Sequence, residues 1–165
     1  MIKLDILKKM TVEESYKYML ILIEGQLSAE KDTIANLSNT SAIIKAIFGR
    51  CNWAGFYLLR DNELVLGPFQ GLPACNRITV GKGVCGTAVS EMTTQRVMNV
   101  HDFPGHIACD SASNSEIVIP IIKDNIVYGV LDIDSPDIGR FTEIEETYLS
   151  KAVEILNKYI DWNMI

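Results

Sequence analysis

Two pairs of strand-like segments, each joined by an Asp-Asn dipeptide, constrain the fold of this 165-residue chain more than any other feature. The first pair covers residues 52–60 and 63–66, and the second covers residues 117–123 and 126–134. The joining dipeptides, Asp61-Asn62 and Asp124-Asn125, suit the left-handed backbone that a two-residue hairpin turn requires. The sequence therefore predicts a sheet built on adjacent antiparallel strands.

Helical patterns flank these hairpins. Thr11 with Glu14 and Thr142 with Glu145 form capping boxes, in which each side chain satisfies a free amide of the helix start. Apolar residues recur at helical spacing behind both boxes. They are Tyr16, Met19, Leu20, Ile23 and Leu27 in the first helix, and Tyr148, Leu149, Ala152, Val153 and Leu156 in the last.

A further helix is predicted to begin at Asp32 and to stop at Gly49. Its apolar stripe would consist of Ile34, Leu37, Ile44 and Ile47. A short helix over residues 84–92 and a short strand over residues 96–100 are expected between the hairpins. Helices at both ends of a central antiparallel sheet predict one α+β domain over residues 1–165, with a site in the loops 69–82 and 101–115.

The charge pattern excludes several classes of partner. The net charge is −6 and no basic cluster appears, so neither nucleic acid nor an anionic membrane is an expected partner. No segment is long and apolar enough to span a bilayer, and residues 1–10 do not resemble a secretory signal. We therefore expect a cytoplasmic protein whose four cysteines are not permanent disulfides.

Cys109 has the most unusual surroundings of the four cysteines. His106 precedes it and can help to ionise the thiol, whereas Asp110 follows it and opposes ionisation. The closely spaced cysteine pairs of structural zinc sites are missing, and a composite metal site of Cys109 and His106 is the lesser alternative to redox chemistry.

The other cysteines have different expected roles. Cys75 lies on a loop, where a cysteine has little packing reason to occur. Cys85 opens a predicted helix, so it is either a small packed side chain or a thiol whose pKa is lowered by the helix N-terminus. Cys51 is most simply a buried hydrophobic residue.

Acidic and aromatic residues complete the set of candidates. Asp132 and Asp134 alternate with apolar residues on one strand, so both carboxylates share a face, which is either a site or a plain solvent face. Glu116 opens the partner strand. A strict two-residue turn would pair Ile117 with Asp132 and turn Glu116 to the other face. A bulge at Pro120 or Gly129 would resolve this conflict, as would irregular pairing at Glu116.

Trp53 and Tyr57 are four residues apart on the first strand and therefore share a face. Core packing is the ordinary role of such aromatic residues in a strand. The alternative is an apolar wall for a small ligand, with polar edges available for hydrogen bonds.

Six ordered segments of the chain resemble one known family, the free methionine-(R)-sulfoxide reductases, which are small GAF-domain proteins. The segments are residues 52–57, 67–71, 81–88, 105–110, 113–117 and 129–135. The resemblance implies a GAF fold, with a six-stranded antiparallel sheet, the N- and C-terminal helices on one face and a loop-covered pocket on the other. It also implies free methionine (R)-sulfoxide as the substrate.

The resemblance further implies the role of each candidate residue. Cys109 corresponds to the catalytic cysteine, Cys75 to the resolving cysteine and Cys85 to a third cysteine that assists. The acidic cluster corresponds to Glu116, Asp132 and Asp134, and the pocket aromatics to Trp53 and Tyr57. No cofactor or metal is needed, because a thioredoxin-type dithiol would restore the thiols. A homodimer is a possible assembly, and a ligand-sensing GAF module without chemistry is the main alternative.

Overall fold

The computed structural model describes residues 7–105, 107 and 111–164, so Cys109, His106 and Asp110 lie outside the described residues. Within these described residues, four α-helices and six strands follow one another, with short 3-10 helices at Val100–Asp102 and Trp162–Met164. Two helices come first, α1 (Val12–Ala29) and α2 (Thr33–Ile47). The remaining elements are β1 (Trp53–Arg60), β2 (Glu63–Gln70), β3 (Arg77–Thr79), α3 (Gly83–Glu91), β4 (Gln95–Val97), β5 (Ser115–Lys123), β6 (Ile126–Ser135) and α4 (Glu143–Tyr159).

The strands form one antiparallel sheet in the order β3-β2-β1-β6-β5-β4. The two predicted hairpins are β1–β2 and β5–β6, so they lie on either side of the central β1–β6 pair. Both Asp-Asn turns have positive φ at both residues, from 50° to 64°, as a tight hairpin turn requires. The α+β prediction is therefore confirmed.

Each face of the sheet carries a separate apolar core. On one face, α2 and α4 pack on the sheet, whose side chains include Phe56, Ile119 and Leu131, and α1 packs on α2 and α4. On the other face, α3 and the adjoining loops cover Tyr57, Val118 and Val130. Since alternate residues of a strand point to opposite faces, the central strands contribute to both cores. The arrangement confirms the predicted terminal helices on one face.

The local signals at the helix starts are confirmed. Both capping boxes are complete, at Thr11 with Glu14 and at Thr142 with Glu145. Asp32 accepts a hydrogen bond from the amide of Ala35 at the start of α2. Among the described residues, no helix is long and apolar enough to cross a membrane.

Several details differ from the prediction, including the end of β2, which extends to Gln70 instead of residue 66. Ile34 is 51% exposed and does not belong to the buried stripe of α2, whereas Leu37, Ile44 and Ile47 are buried. The short helix covers Gly83–Glu91 instead of residues 84–92, and β4 covers Gln95–Val97 instead of residues 96–100. The predicted loop 69–82 contains the short strand β3, which pairs with β2 and forms one edge of the sheet. Such short elements depend on their neighbours, so local patterns identify them poorly.

Candidate active site

A β-bulge in the β5–β6 hairpin decides which acids share a face. Ile121 lies opposite Gly129 whereas Ile122 lies opposite Val127, so Tyr128 is an extra residue in β6. This one-residue shift places Glu116 opposite Asp134. The bulge lies beside Gly129, which is one of the two positions that the sequence indicated. The strict register, with Ile117 opposite Asp132, is therefore wrong.

Gly129 allows this bulge to approach the next strand closely. Its φ is +156°, and a Cβ atom there would lie 2.2 Å from the carbonyl oxygen of Tyr57. A side chain cannot occupy that space without moving the central strands. The bulge, and with it the register that places the three acids on one face, therefore requires glycine at position 129.

Three carboxylates gather on the face covered by α3. Asp132 lies opposite Val118 on one side and Gly55 on the other, and Asp134 lies opposite Glu116 and Trp53. Glu116 and Asp132 are each 6% exposed. The structure therefore brings together the three acids that the sequence singled out. It excludes the plain solvent face for Asp132, whereas Asp134 is half-buried.

Burial changes the protonation of these acids. It is the main cause that raises the pKa of Asp132 to about 7. Burial also raises the pKa of Glu116 well above its usual range, and the charges of Asp132 and Asp134 raise it further. A side-chain hydrogen bond joins Glu116 and Asp132 and lowers the pKa of Asp132. The pair therefore retains a proton near neutral pH, because burial raises the pKa values of both carboxyls.

Cys85 is the third residue of α3, and its side chain faces this carboxyl pair. Its sulfur lies 3.9 Å from Glu116 Oε1, and the residue is 3% exposed. Burial and the neighbouring carboxylates raise the pKa of this thiol well above its usual range. Of the two alternatives for Cys85, the structure therefore agrees with the small packed side chain, because burial and negative charge outweigh the helix dipole.

Aromatic rings form one wall beside the acids. The ring centroids of Trp53 and Tyr57 lie 5.9 Å apart, and those of Trp53 and Phe69 lie 5.3 Å apart. The indole Nε1 of Trp53 is buried and has no hydrogen-bond partner among the described residues. Tyr57 donates its hydroxyl proton to the carbonyl oxygen of Cys75, at 2.9 Å. The two predicted aromatic residues thus combine core packing with a pocket wall.

The other cysteines occupy different environments. Cys75 is half-buried in the loop between β2 and β3 and is disulfide-bonded. Cys51 is a free thiol in the core beneath the terminal helices, where its sulfur donates to the carbonyl oxygen of Trp53, at 2.9 Å. Burial raises the pKa of Cys51 to about 12. The interpretation of Cys51 as a buried hydrophobic residue is confirmed.

These groups line one pocket between the sheet, α3 and the loops. Its described lining residues contain three carboxylates and no lysine, arginine or histidine. Ile107 lies over Gly83, where a Cβ atom would come within 3.2 Å of the isoleucine side chain. The sequence reasoning assigned no role to five lining residues: Ala74, Ile78, Val84, Ile107 and Ser113. Val84, Ile107 and Ser113 were indicated only by their position in the motif-bearing segments 81–88, 105–110 and 113–117.

Comparisons with known proteins agree on one family. The sequence pattern of the GAF domain matches residues 33–160. A free methionine-R-sulfoxide reductase from Escherichia coli is 54% identical over 134 residues, which is 81% of each chain. Protein YtsP from Bacillus subtilis is 52% identical over 148 residues, covering 88% of this chain and 91% of that protein. A solved structure, the free methionine-R-sulfoxide reductase from Neisseria meningitidis in complex with its substrate, has a TM-score of 0.85, with 46% identity over 87% of each chain.

Proposed function

The chain belongs to the GAF domain family and, within it, to the free methionine-R-sulfoxide reductases, and on this basis we propose that it reduces free methionine (R)-sulfoxide to methionine with its own thiols. The observation that carries the proposal is the buried Glu116–Asp132 pair beside Cys85. It lies in a pocket whose described lining has no positive side chain.

The charge of the pocket supports a free amino acid as the substrate. Buried carboxylates without a cation are costly, so a bound ligand that brings a positive charge stabilises them. A free amino acid carries an ammonium group, whereas a residue inside a peptide does not. We therefore propose that the negative charge left on the cluster of Glu116, Asp132 and Asp134, beyond the proton that the cluster retains, holds the ammonium group. The apolar wall of Trp53 and Tyr57 would hold the methionine side chain, and the unpartnered indole N–H of Trp53 can donate to an oxygen of the ligand.

The raised pKa values support proton donation to the sulfoxide. A sulfoxide oxygen accepts a proton as a thiolate attacks the sulfur atom, so the reaction needs an acid that is protonated near neutral pH. Asp132, with a pKa of about 7, and Glu116, which shares the retained proton, meet this need. We propose that this pair is the proton donor.

Cys109 is the proposed nucleophile. Its thiol takes the sulfoxide oxygen, so methionine leaves and Cys109 becomes a sulfenic acid. Condensation of the sulfenic acid with the thiol of Cys75 forms a disulfide and releases water. Two observations support Cys75 over Cys85 as the resolving residue. Cys75 is disulfide-bonded, whereas Cys85 is a free, buried thiol whose pKa is raised.

A thioredoxin-type dithiol is the proposed reductant. It would reduce the disulfide by thiol–disulfide exchange and restore both cysteines. Cys75 is half-buried in a loop whose residues 71–73 and 76 are exposed, which supports access by a protein reductant. Since such reductants keep the cytoplasm reducing, we propose that the protein works there.

Coupled turnover tests the proposal. Reduced protein is mixed with (R)- or (S)-methionine sulfoxide, thioredoxin, its reductase and NADPH, and the loss of NADPH is followed. We expect turnover with the free (R) isomer and loss of turnover in Cys109→Ser. Asp132→Asn should lower kcat about 10²–10⁴-fold, as removal of a proton donor does.

Cys51→Ser is the matched control, because it removes a buried thiol from the opposite core and should retain turnover. An N-acetylated, amidated methionine sulfoxide should react poorly, since it lacks the ammonium group. Absence of turnover by folded, reduced protein would favour a ligand-sensing GAF module instead.

A further inference from the structure

We propose that the acidic pocket is also a binding site for a zinc-like divalent cation, held by Cys85, Glu116 and Asp132. Binding of the cation is independent of the reductase reaction. The consequence for catalysis rests on the proposed function, because the ion would occupy the place of the substrate's ammonium group. The site differs from the Cys109 and His106 pair that the sequence raised as a metal alternative.

The geometry of the three side chains supports a shared ion. One ligand atom from each residue, the Cys85 sulfur and one oxygen each of Glu116 and Asp132, lies within 4.8 Å of the other two. Zinc binds sulfur at about 2.3 Å and carboxylate oxygen at about 2.0–2.2 Å, so tetrahedral ligands are separated by roughly 3.3–3.7 Å. The sulfur is already 3.9 Å from Glu116 Oε1. Small side-chain movements are therefore enough to close the site.

A vacant ligand atom points to a cation independently of the cluster. Asp132 Oδ1 is buried and has no hydrogen-bond partner among the described residues, although the residue is only 6% exposed. An unsatisfied buried carboxylate oxygen costs free energy, which a metal ion bound there would recover. No lysine or arginine among the described lining residues competes for this oxygen.

The donor set selects the class of metal. One thiolate and two carboxylates suit Zn²⁺ and its substitute Co²⁺, whereas Mg²⁺ and Ca²⁺ prefer oxygen ligands alone. Binding requires the Cys85 thiol and the Glu116–Asp132 pair to release their protons. Three protein ligands leave a fourth position open towards the pocket, as in zinc sites that exchange water or small ligands.

The three ligands come from elements that the fold holds in place. Glu116 and Asp132 lie on the neighbouring strands β5 and β6, and Cys85 lies on α3, which packs on both strands. Ligands on packed strands and helices need little reorganisation when the ion binds.

The test measures Co²⁺ binding without any substrate. The parent protein is Cys75→Ser with Cys109→Ser, which leaves Cys51 and Cys85 as its thiols. Co²⁺ is titrated at pH 8 and the near-ultraviolet absorption of the thiolate–Co²⁺ bond is followed. Calorimetry with Zn²⁺ gives the affinity. We expect the thiolate band in the parent and in Cys51→Ser, and its loss in Cys85→Ser.

A pair of acidic variants separates ligation from simple charge attraction. Asp132→Asn removes a ligand and should weaken Zn²⁺ binding more than about 10-fold. Mutation of a residue that only hydrogen-bonds to a metal ligand already lowers metal affinity about 10–100-fold. Asp134→Asn removes the same charge from the pocket but no member of the triad, and should weaken binding less. Near-ultraviolet circular dichroism checks that each variant is folded.

Three results would overturn the proposal: no thiolate band in the folded parent at millimolar Co²⁺, persistence of the band in Cys85→Ser, or equal effects of the two aspartate variants. In the turnover assay, we expect Zn²⁺ to inhibit competitively with methionine sulfoxide. If turnover is absent but the Co²⁺ band appears, the proposed function fails and the metal site stands. If turnover is normal and the band is absent, the metal site alone fails.

Discussion

Asp132→Asn is expected to stabilise the folded protein while it removes activity. Burial raises the pKa of Asp132 from its ordinary value of 3.8 to about 7. Between these pH values the unfolded chain releases the proton and the folded chain keeps it, so the folded state loses stability as pH rises. Asparagine has no charge to bury. Its amide can donate to Glu116, and its Oδ1 can take the place of the unpartnered oxygen.

The size of the effect follows from the pKa. Each pKa unit corresponds to about 1.4 kcal/mol, so a rise from 3.8 to about 7 gives an upper limit of roughly 4 kcal/mol above pH 7. Because Glu116 shares the proton, we expect a gain of about 2–4 kcal/mol at pH 8. At this chain length, 1 kcal/mol corresponds to about 2–4 °C in Tm, so Tm should rise by roughly 4–16 °C.

Urea unfolding of the reduced wild type and variant at pH 4.5 and pH 8 measures this difference. The gap in unfolding free energy should widen towards pH 8. Glu145→Gln is the control of opposite sign. Glu145 accepts hydrogen bonds from Arg140 and Tyr16, and its pKa is lowered despite burial, so the variant should lose about 1–3 kcal/mol. The reasoning about Asp132 is refuted if Asp132→Asn is less stable than wild type at pH 8, or if the gap does not change with pH.

Two further variants test the bulge and the cysteine loop. Gly129→Ala should lower the free energy of unfolding by about 1–3 kcal/mol and remove most of the turnover, because its Cβ atom would lie 2.2 Å from the carbonyl oxygen of Tyr57. Gly25→Ala is the control, because a Cβ atom there has no neighbouring atom within 4 Å, and urea unfolding should show a gain of about 0.5–1 kcal/mol. Equal effects of the two alanines would contradict the bulge argument. Tyr57→Phe removes the hydrogen bond to the carbonyl oxygen of Cys75 and should lower the free energy of unfolding by about 1 kcal/mol. Amide hydrogen exchange in residues 71–76 should become faster, and unchanged exchange there would show that this hydrogen bond does not hold the loop.

The predictable part of the fold rests on local chemistry. The capping boxes at Thr11 and Thr142 and the Asp-Asn turns involve residues at most three positions apart, so the chain specifies them without its tertiary context. Ile34 shows the limit of such patterns. It continues an apolar stripe but is 51% exposed, because only the packed neighbours decide where a core ends.

The candidate site divides in the same way. By itself, the sequence determined which chemical groups were present: the cysteines, the acids at 116, 132 and 134, and the aromatics at 53 and 57. Only the tertiary structure decided that Glu116 joins Asp132 on one face, since that depends on an extra residue at Tyr128 in the β6 strand. It also decided that Cys85 is a neutral, buried thiol, because desolvation by distant parts of the chain outweighs the local helix N-terminus. Register and burial arise from contacts between segments far apart in sequence, and no local pattern encodes them.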